Sequence, residues 1–129
     1  MKSSKQRVDE ALAQIRTLSV DEAAQLHRAG DVLFVDIRDP REIERDGTIP
    51  GARNAPRGML EFWIDPESPY HKPMFAPDRQ IVFFCASGWR SALATQLAQE
   101  MDLGNASHIG GGYSAWKAAG LPVDTEGRK

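Results

Sequence analysis

The sequence predicts an α/β domain organised around a parallel sheet. Two short apolar runs carry that prediction, Val32 to Ile37 (VLFVDI) and Gln80 to Phe84 (QIVFF). Both are rich in β-branched and aromatic residues and nearly continuous in hydrophobicity, as suits strands buried on both faces. The third observation is that helical patterns separate these runs, and strands alternating with helices form parallel sheets covered on both sides.

The elements follow in order. From Lys5 to Thr17, the residues Val8, Ala11, Leu12 and Ile15 share one face at helical spacing. This predicts an amphipathic helical extension over residues 1–17, ahead of a main domain over 18–125. Packing is the simplest use of that stripe, and dimerisation is the alternative. Ser19 followed by Glu22 has the spacing of a capping box, opening a helix that stops at Gly30. The strand VLFVDI comes next. Asp39-Pro40 then reads as N-cap and first residue of a short helix that passes through Ile43 and ends before Gly47.

Thr48 to Pro56 (TIPGARNAP) is dense in turn formers and predicts loop with room for a short strand. Met59 to Ile64 is a short helix candidate. Asp65 to Asp78 holds four of the eight prolines and reads as a long irregular loop, of a kind that is usually functional or mobile. The strand QIVFF leads into Cys85, and Ala86 to Arg90 form a short connecting loop. Ser91 to Met101 is a helix with Leu93, Ala94, Leu97, Ala98 and Met101 as its apolar stripe, ended by Gly104. Ala106 to Ile109 is a third short strand, Gly110 to Gly112 a turn, and Tyr113 to Ala119 a final helix before Gly120 and Pro122.

Composition narrows the function. The 129 residues suit one domain with one core and little more. A net charge of −2 argues against nucleic acid as an electrostatic partner. No apolar run approaches the roughly 20 residues that span a membrane. No secretory signal pattern follows the polar Met1 to Arg7, and the single cysteine has no internal disulfide partner, so a cytoplasmic setting is expected. His27, His71 and His108 are scattered without metal-ligand spacing, and no metal is expected; His71, in the long loop, is the one singled out for testing.

The candidate chemistry lies in Cys85-Ala86-Ser87-Gly88-Trp89-Arg90-Ser91. Ligands of open parallel sheets bind at the carboxyl ends of strands, where Cys85 stands. Free amides at a helix start point at anions. A tight loop through Gly88 can curl its N–H groups into a nest. Arg90 adds a permanent positive charge. All three favour the thiolate, the nucleophilic form of cysteine. A lone cysteine is by default a small buried hydrophobe. Such a residue has no need of a glycine and an arginine within five positions.

The loop resembles the active-site loop of rhodaneses, and the resemblance extends on both sides. Val35 to Pro56 (VDIRDPREIERDGTIPGARNAP) is similar to the rhodanese block of strand end, acid–arginine pair, helix and Ile-Pro-Gly-Ala turn. His108 to Val123 (HIGGGYSAWKAAGLPV) is similar to the closing block with its glycine turn, Trp116 and Gly-Leu-Pro end. Together these cover roughly Leu18 to Val123. The resemblance implies a three-layer sandwich around a central parallel five-stranded sheet flanked by helices. It implies a sulfurtransferase: Cys85 takes a sulfane sulfur from thiosulfate or another small sulfur-containing anion, carries it as a covalent persulfide, and yields it to cyanide or a thiol. A protein acceptor is a further possibility. No metal or organic cofactor is implied. Ala86, Ser87, Gly88, Trp89, Arg90 and Ser91 would bind the substrate sulfur, and Arg57, near the mouth of the site in the family, would bind an anionic donor.

Two other functions use the same cysteine. A phosphatase or arsenate reductase would exploit Arg90, but four residues between Cys85 and Arg90 make a six-residue loop, one shorter than in the related dual-specificity phosphatases and narrow for a phosphate. A sulfur-carrier or binding module serving a partner protein is the second alternative. Four further readings concern positions near the loop. Thr48 stands where many rhodaneses have histidine and is read as structural. Rhodaneses that favour thiosulfate often carry extra basic residues inside the loop, whereas here Ala86 and Trp89 are uncharged and Arg90 alone is charged, which weakens thiosulfate as the physiological donor. Trp89 either forms a rim for a large partner or packs against Phe62 and Trp63. Asp36, Arg38 and Glu42 are expected to form an ion-pair network beneath the loop that can extend to Arg90.

Overall fold

The computed structural model describes residues 1–125. Among them, five strands form one parallel sheet in the order β1-β5-β4-β2-β3. The strands are β1 (Arg16–Leu18), β2 (Leu33–Asp36), β3 (Arg53–Asn54), β4 (Ile81–Phe84) and β5 (Ala106–Ile109). The helices are α1 (Ser4–Gln14), α2 (Val20–Ala29), α3 (Pro40–Asp46), α4 (Leu60–Ile64), α5 (Trp89–Glu100) and α6 (Gly112–Ala118). None is long and apolar enough to cross a membrane.

Strand alternation divides the core into two layers. Leu33, Val35, Ile81 and Phe83 face α4 and α5 and pack with Leu60, Ile64, Ala94 and Ala98. Phe34, Val82, Phe84 and Ile109 face the other way, against Ala23 and Ala24 of α2 and Tyr113 and Trp116 of α6. The apolar runs of β2 and β4 are thus explained by two buried faces, and every residue of both strands is buried.

The helix signals act as expected at most starts. Ser19 and Glu22 form the reciprocal capping box of α2, and Gly30 closes that helix in the left-handed region. Asp39 caps α3 with Pro40 in its first turn. Two boundaries differ by more than one residue. The helix expected from Lys5 to Thr17 stops at Gln14, because Arg16 to Leu18 pair in parallel with Ser107 to Ile109 as the edge strand of the sheet. Val8 and Ala11 pack on Ala92 of α5, while Leu12 is exposed. The helix expected from Ser91 begins two residues earlier, at Trp89, so Arg90 and Ser91 occupy its first turn rather than the loop or its edge. The buried face of α5 accordingly runs through Ser91, Ala92, Ala94, Thr95 and Ala98, with α1 covering Ala92.

The proline-rich segment 65–78 has no helix or strand. It is anchored, with Phe75 buried and stacked on Phe83 at 6.5 Å between ring centroids. Lys72 donates its backbone N–H to the Trp63 carbonyl and lays its ammonium over the Trp63 ring.

Candidate active site

Cys85 follows the last residue of β4 and is 1% exposed. Gly88, at φ +108°, turns the chain sharply enough that its own N–H donates to Cys85 Sγ at 3.1 Å. An L residue is strained in that region, which explains the glycine. The Ser91 N–H, free of an intrahelical partner in the first turn of α5, also donates to the sulfur, at 3.4 Å. Ser91 Oγ lies 3.5 Å from it. The sulfur therefore sits where two backbone donors and one hydroxyl converge, an arrangement suited to a negative charge.

The glycine turn holds this loop from outside. Tyr113 and Ser114, at the start of α6, donate their N–H groups to the carbonyls of Cys85 and Ala86 at 2.8 and 3.1 Å. Gly112 comes so close that a Cβ there would lie 2.5 Å from the Cys85 carbonyl oxygen. With its carbonyls taken up by α6, the loop turns N–H groups toward the sulfur.

The acid–arginine residues resolve into two separate pairs rather than one network. Arg38 binds Asp36 through Nε and Nη2, and both side chains are 1% exposed. Arg38 also donates to the Gly47 carbonyl and stacks over the Tyr113 ring, while Thr48 Oγ1 donates to Asp36 Oδ2 at 2.7 Å. Thr48 thus completes a buried structural cluster. Glu42 instead accepts two hydrogen bonds from Arg90, at 2.8 and 3.0 Å. The Arg90 guanidinium holds the Glu42 carboxyl below its ordinary range, while Glu42 and then the nearby Cys85 sulfur hold Arg90 above its own. The positive charge beside the loop is real but shared with a carboxylate.

The structure brings Ala86, Ser87, Gly88, Arg90 and Ser91 around Cys85, with Ser91 fully buried. Trp89 is 52% exposed and makes no ring contact with Phe62 or Trp63, so it stands at the surface of the first helical turn. Phe62 pairs with Tyr70 instead. Arg57 is ion-paired with Glu61 at 3.0 Å, and no hydrogen bond joins it to the loop. His71 hydrogen-bonds the Trp63 carbonyl, and His27 the Pro50 carbonyl. Among the described residues, no cluster of three or more His, Cys, Asp or Glu could hold a metal ion.

One residue of the site escaped sequence reasoning. His108, in the middle of β5, is 1% exposed and shares a 2.8 Å hydrogen bond between Nδ1 and Ser91 Oγ. Its Nε2 meets Thr17 Oγ1 of β1 at 2.9 Å. Burial pushes its ionisation down to about 4, so the imidazole is neutral near pH 7. Its signal was faint: a histidine beside a serine in a strand that is buried throughout.

Comparison with known proteins agrees with this geometry. The family model of the rhodanese-like domain matches residues 19–119. The human thiosulfate:glutathione sulfurtransferase is 33% identical over 111 residues, covering 81% of this chain and 96% of that protein. The structure of a human single-domain sulfurtransferase superposes with a TM-score of 0.69 at 32% identity, covering 79% of this chain and 95% of that one. A Rhodopseudomonas palustris protein of unknown function, described as a possible tyrosine phosphatase, superposes with a TM-score of 0.93 at 55% identity over 96% of both chains. With a five-stranded parallel sheet, a Cys85 loop wrapped on its sulfur and a family match across most of its length, this chain belongs to the rhodanese-like domain family, whose characterised relatives here are sulfurtransferases.

Proposed function

We propose that this protein is a sulfurtransferase working through a persulfide on Cys85. The observation that carries the reading is the convergence of the Gly88 and Ser91 N–H groups on the Cys85 sulfur, at 3.1 and 3.4 Å. Donors fixed in this way stabilise an anion with no reorganisation during reaction.

In the first half-reaction the Cys85 thiolate attacks the outer sulfur of a donor such as thiosulfate. The donor S–S bond breaks and sulfite leaves with its electron pair. A Cys85 persulfide remains, its anionic terminus held by the amides of Ala86 to Ser91. In the second, cyanide or a thiolate attacks that outer sulfur, and the Cys85 thiolate leaves. Atoms and charge balance, and the cycle calls on no metal or organic cofactor. Exposed Trp89 at the rim favours an acceptor large enough to touch it, such as a glutathione-like thiol or a protein thiol. Arg57, held by Glu61, would contribute at most to donor approach.

A phosphatase reading is raised by Arg90 and by the description attached to the Rhodopseudomonas palustris relative. The six-residue span from Cys85 to Arg90 opposes it, since the two amides already reach a single sulfur atom and a phosphate needs a wider ring. Mass measurement decides. Wild type treated with thiosulfate or another sulfane donor should gain one sulfur atom, and Cys85→Ala should gain none. An unmodified wild type across the donor panel would reject the proposal. Turnover of a phosphate ester faster than any sulfur donor would replace it with the phosphatase reading. Transfer only to a captured partner protein would make the chain a carrier.

A further inference from the structure

We infer that His108 is a positioning residue of the site: through Ser91 it aims a hydrogen-bond donor at Cys85, and with Thr17 it forms the path by which the buried thiol exchanges its proton with solvent. This rests on the reading of Cys85 as the nucleophile. The observation is a continuous chain of side chains, Cys85 Sγ to Ser91 Oγ at 3.5 Å, Ser91 Oγ to His108 Nδ1 at 2.8 Å, and His108 Nε2 to Thr17 Oγ1 at 2.9 Å. The first three residues are 1% exposed or less, whereas Thr17 lies exposed on the edge strand. Thr17 and His108 are directly paired across β1 and β5, so the sheet itself fixes their contact.

The chemistry follows from the donors each group owns. A neutral imidazole has one N–H and one bare nitrogen, and a hydroxyl both donates and accepts. When Cys85 is a thiol, S–H donates to Ser91, Ser91 donates to Nδ1, and Nε2–H donates to Thr17. Ionisation shifts each proton one place. The thiol proton goes to Ser91 Oγ, the Ser91 hydroxyl proton to Nδ1, the Nε2 proton to Thr17 Oγ1, and the Thr17 hydroxyl proton to water. One proton leaves, and the imidazole exchanges one neutral tautomer for the other as its ring C=N bond moves from Nδ1 to Nε2. Every donor in the chain then points toward the thiolate.

The electrostatics permit this exchange. Burial shifts the ionisation of His108 down to about 4 and so holds the ring neutral near pH 7. Arg90 of α5 is the charged group that reaches the sulfur, and Glu42 of α3 is attached to it. The Cβ that an alanine would carry at position 88 would lie 3.8 Å from His108 Cε1, so the ring backs directly onto the loop. Both ring nitrogens have partners, and those partners lead in one direction to the sulfur and in the other to the exposed edge strand.

The test uses the wild-type protein first. Ionisation of Cys85 is followed by thiolate absorbance, and the His108 tautomer by ¹⁵N NMR of the imidazole nitrogens, with His27 and His71 as internal references. The proton is expected on Nδ1 when Cys85 is a thiolate and on Nε2 when it is a thiol. A proton on Nε2 in the thiolate form overturns the inference. In variants, His108→Phe should raise the midpoint of thiolate formation by about one pH unit, the scale of one hydrogen bond to a charged group. His108→Asn, whose amide can take the place of Nδ1–H, should restore most of that shift. An unchanged midpoint in a folded His108→Phe also overturns it. Failure of wild type to accept sulfur from any donor would instead reject the sulfurtransferase reading while leaving the proton path intact, so the two failures are distinct.

Discussion

Arg90 and Glu42 lie far apart in sequence yet meet through two parallel hydrogen bonds of 2.8 and 3.0 Å beside the Cys85 loop. Glu42 also accepts from the Asp39 N–H as part of the α3 capping box, so one carboxylate ties the start of α3 to the first turn of α5. The positive charge of the arginine beside the loop is therefore partly neutralised by the fold. Glu42→Gln removes the negative charge and keeps the shape. It should lower KM for an anionic donor about two- to five-fold at low ionic strength, an advantage that fades as salt screens the freed charge. Steady-state kinetics at two salt concentrations measure this.

Gly88→Ala tests the backbone turn. A Cβ at φ +108° is strained, and the expected cost is about 1–2 kcal/mol in a urea titration. Relaxation would carry the Gly88 N–H off the sulfur. Persulfide formation should fall at least ten-fold, more than the stability loss explains, read by mass spectrometry under conditions where the variant is folded.

Gly112→Ala tests the contact of α6 with the loop carbonyls. The new methyl would lie within 2.8 Å of backbone atoms of Cys85 and Ala86, which cannot move aside as a flexible side chain can. We expect about 2 kcal/mol or more of destabilisation and a larger proportional loss of sulfur transfer than for an alanine at solvent-exposed Gly58, where the added methyl meets nothing.

The Asp36–Arg38 pair should prove structural. Both side chains are buried, so Asp36→Ala leaves a buried guanidinium without its carboxylate, at a cost of about 3–5 kcal/mol. Thermal unfolding should show the loss. Any sulfur transfer remaining at a temperature where the variant is folded should have a nearly unchanged KM for donor.

His108 gives a pH dependence of stability with a defined sign. Its ionisation falls to about 4 in the folded protein from an ordinary value of 6.5. Between these values the unfolded chain binds a proton that the folded chain refuses, so this contribution is complete above pH 6.5 and is lost as pH falls toward 4. The loss is on the order of 2–3 kcal/mol. Glu42, whose carboxyl is held down by Arg90, loses its contribution in the same direction at still lower pH. Urea midpoints at pH 7.5 and 4.5 should differ less in His108→Asn than in wild type.

Much of this protein was legible from local pattern. The buried runs of β2 and β4, the capping box at Ser19, the N-cap at Asp39 and the Cys85-to-Ser91 loop all depend on residues close in sequence, where propensity and spacing act directly. Strand β1 was hidden because three residues pair only with a β5 that lies about ninety positions away. The start of α5 was misplaced by two residues because helix onset there is set by the turn at Gly88 and by the sulfur it encloses.

The candidate nucleophile and the length of its loop stand in seven consecutive residues, Cys85 to Ser91, and are proposed from local sequence alone. Which charges and hydrogen bonds reach that sulfur was decided only by tertiary structure. Asp36, Arg38, Glu42 and Arg90 admit several pairings on paper, and packing chose two separate ones. His108 had only a faint local mark, yet strand pairing placed it between Ser91 and Thr17. The reason is physical: a turn is made by neighbours in the chain, whereas a buried hydrogen-bond chain is made by whatever the sheet and helices press together.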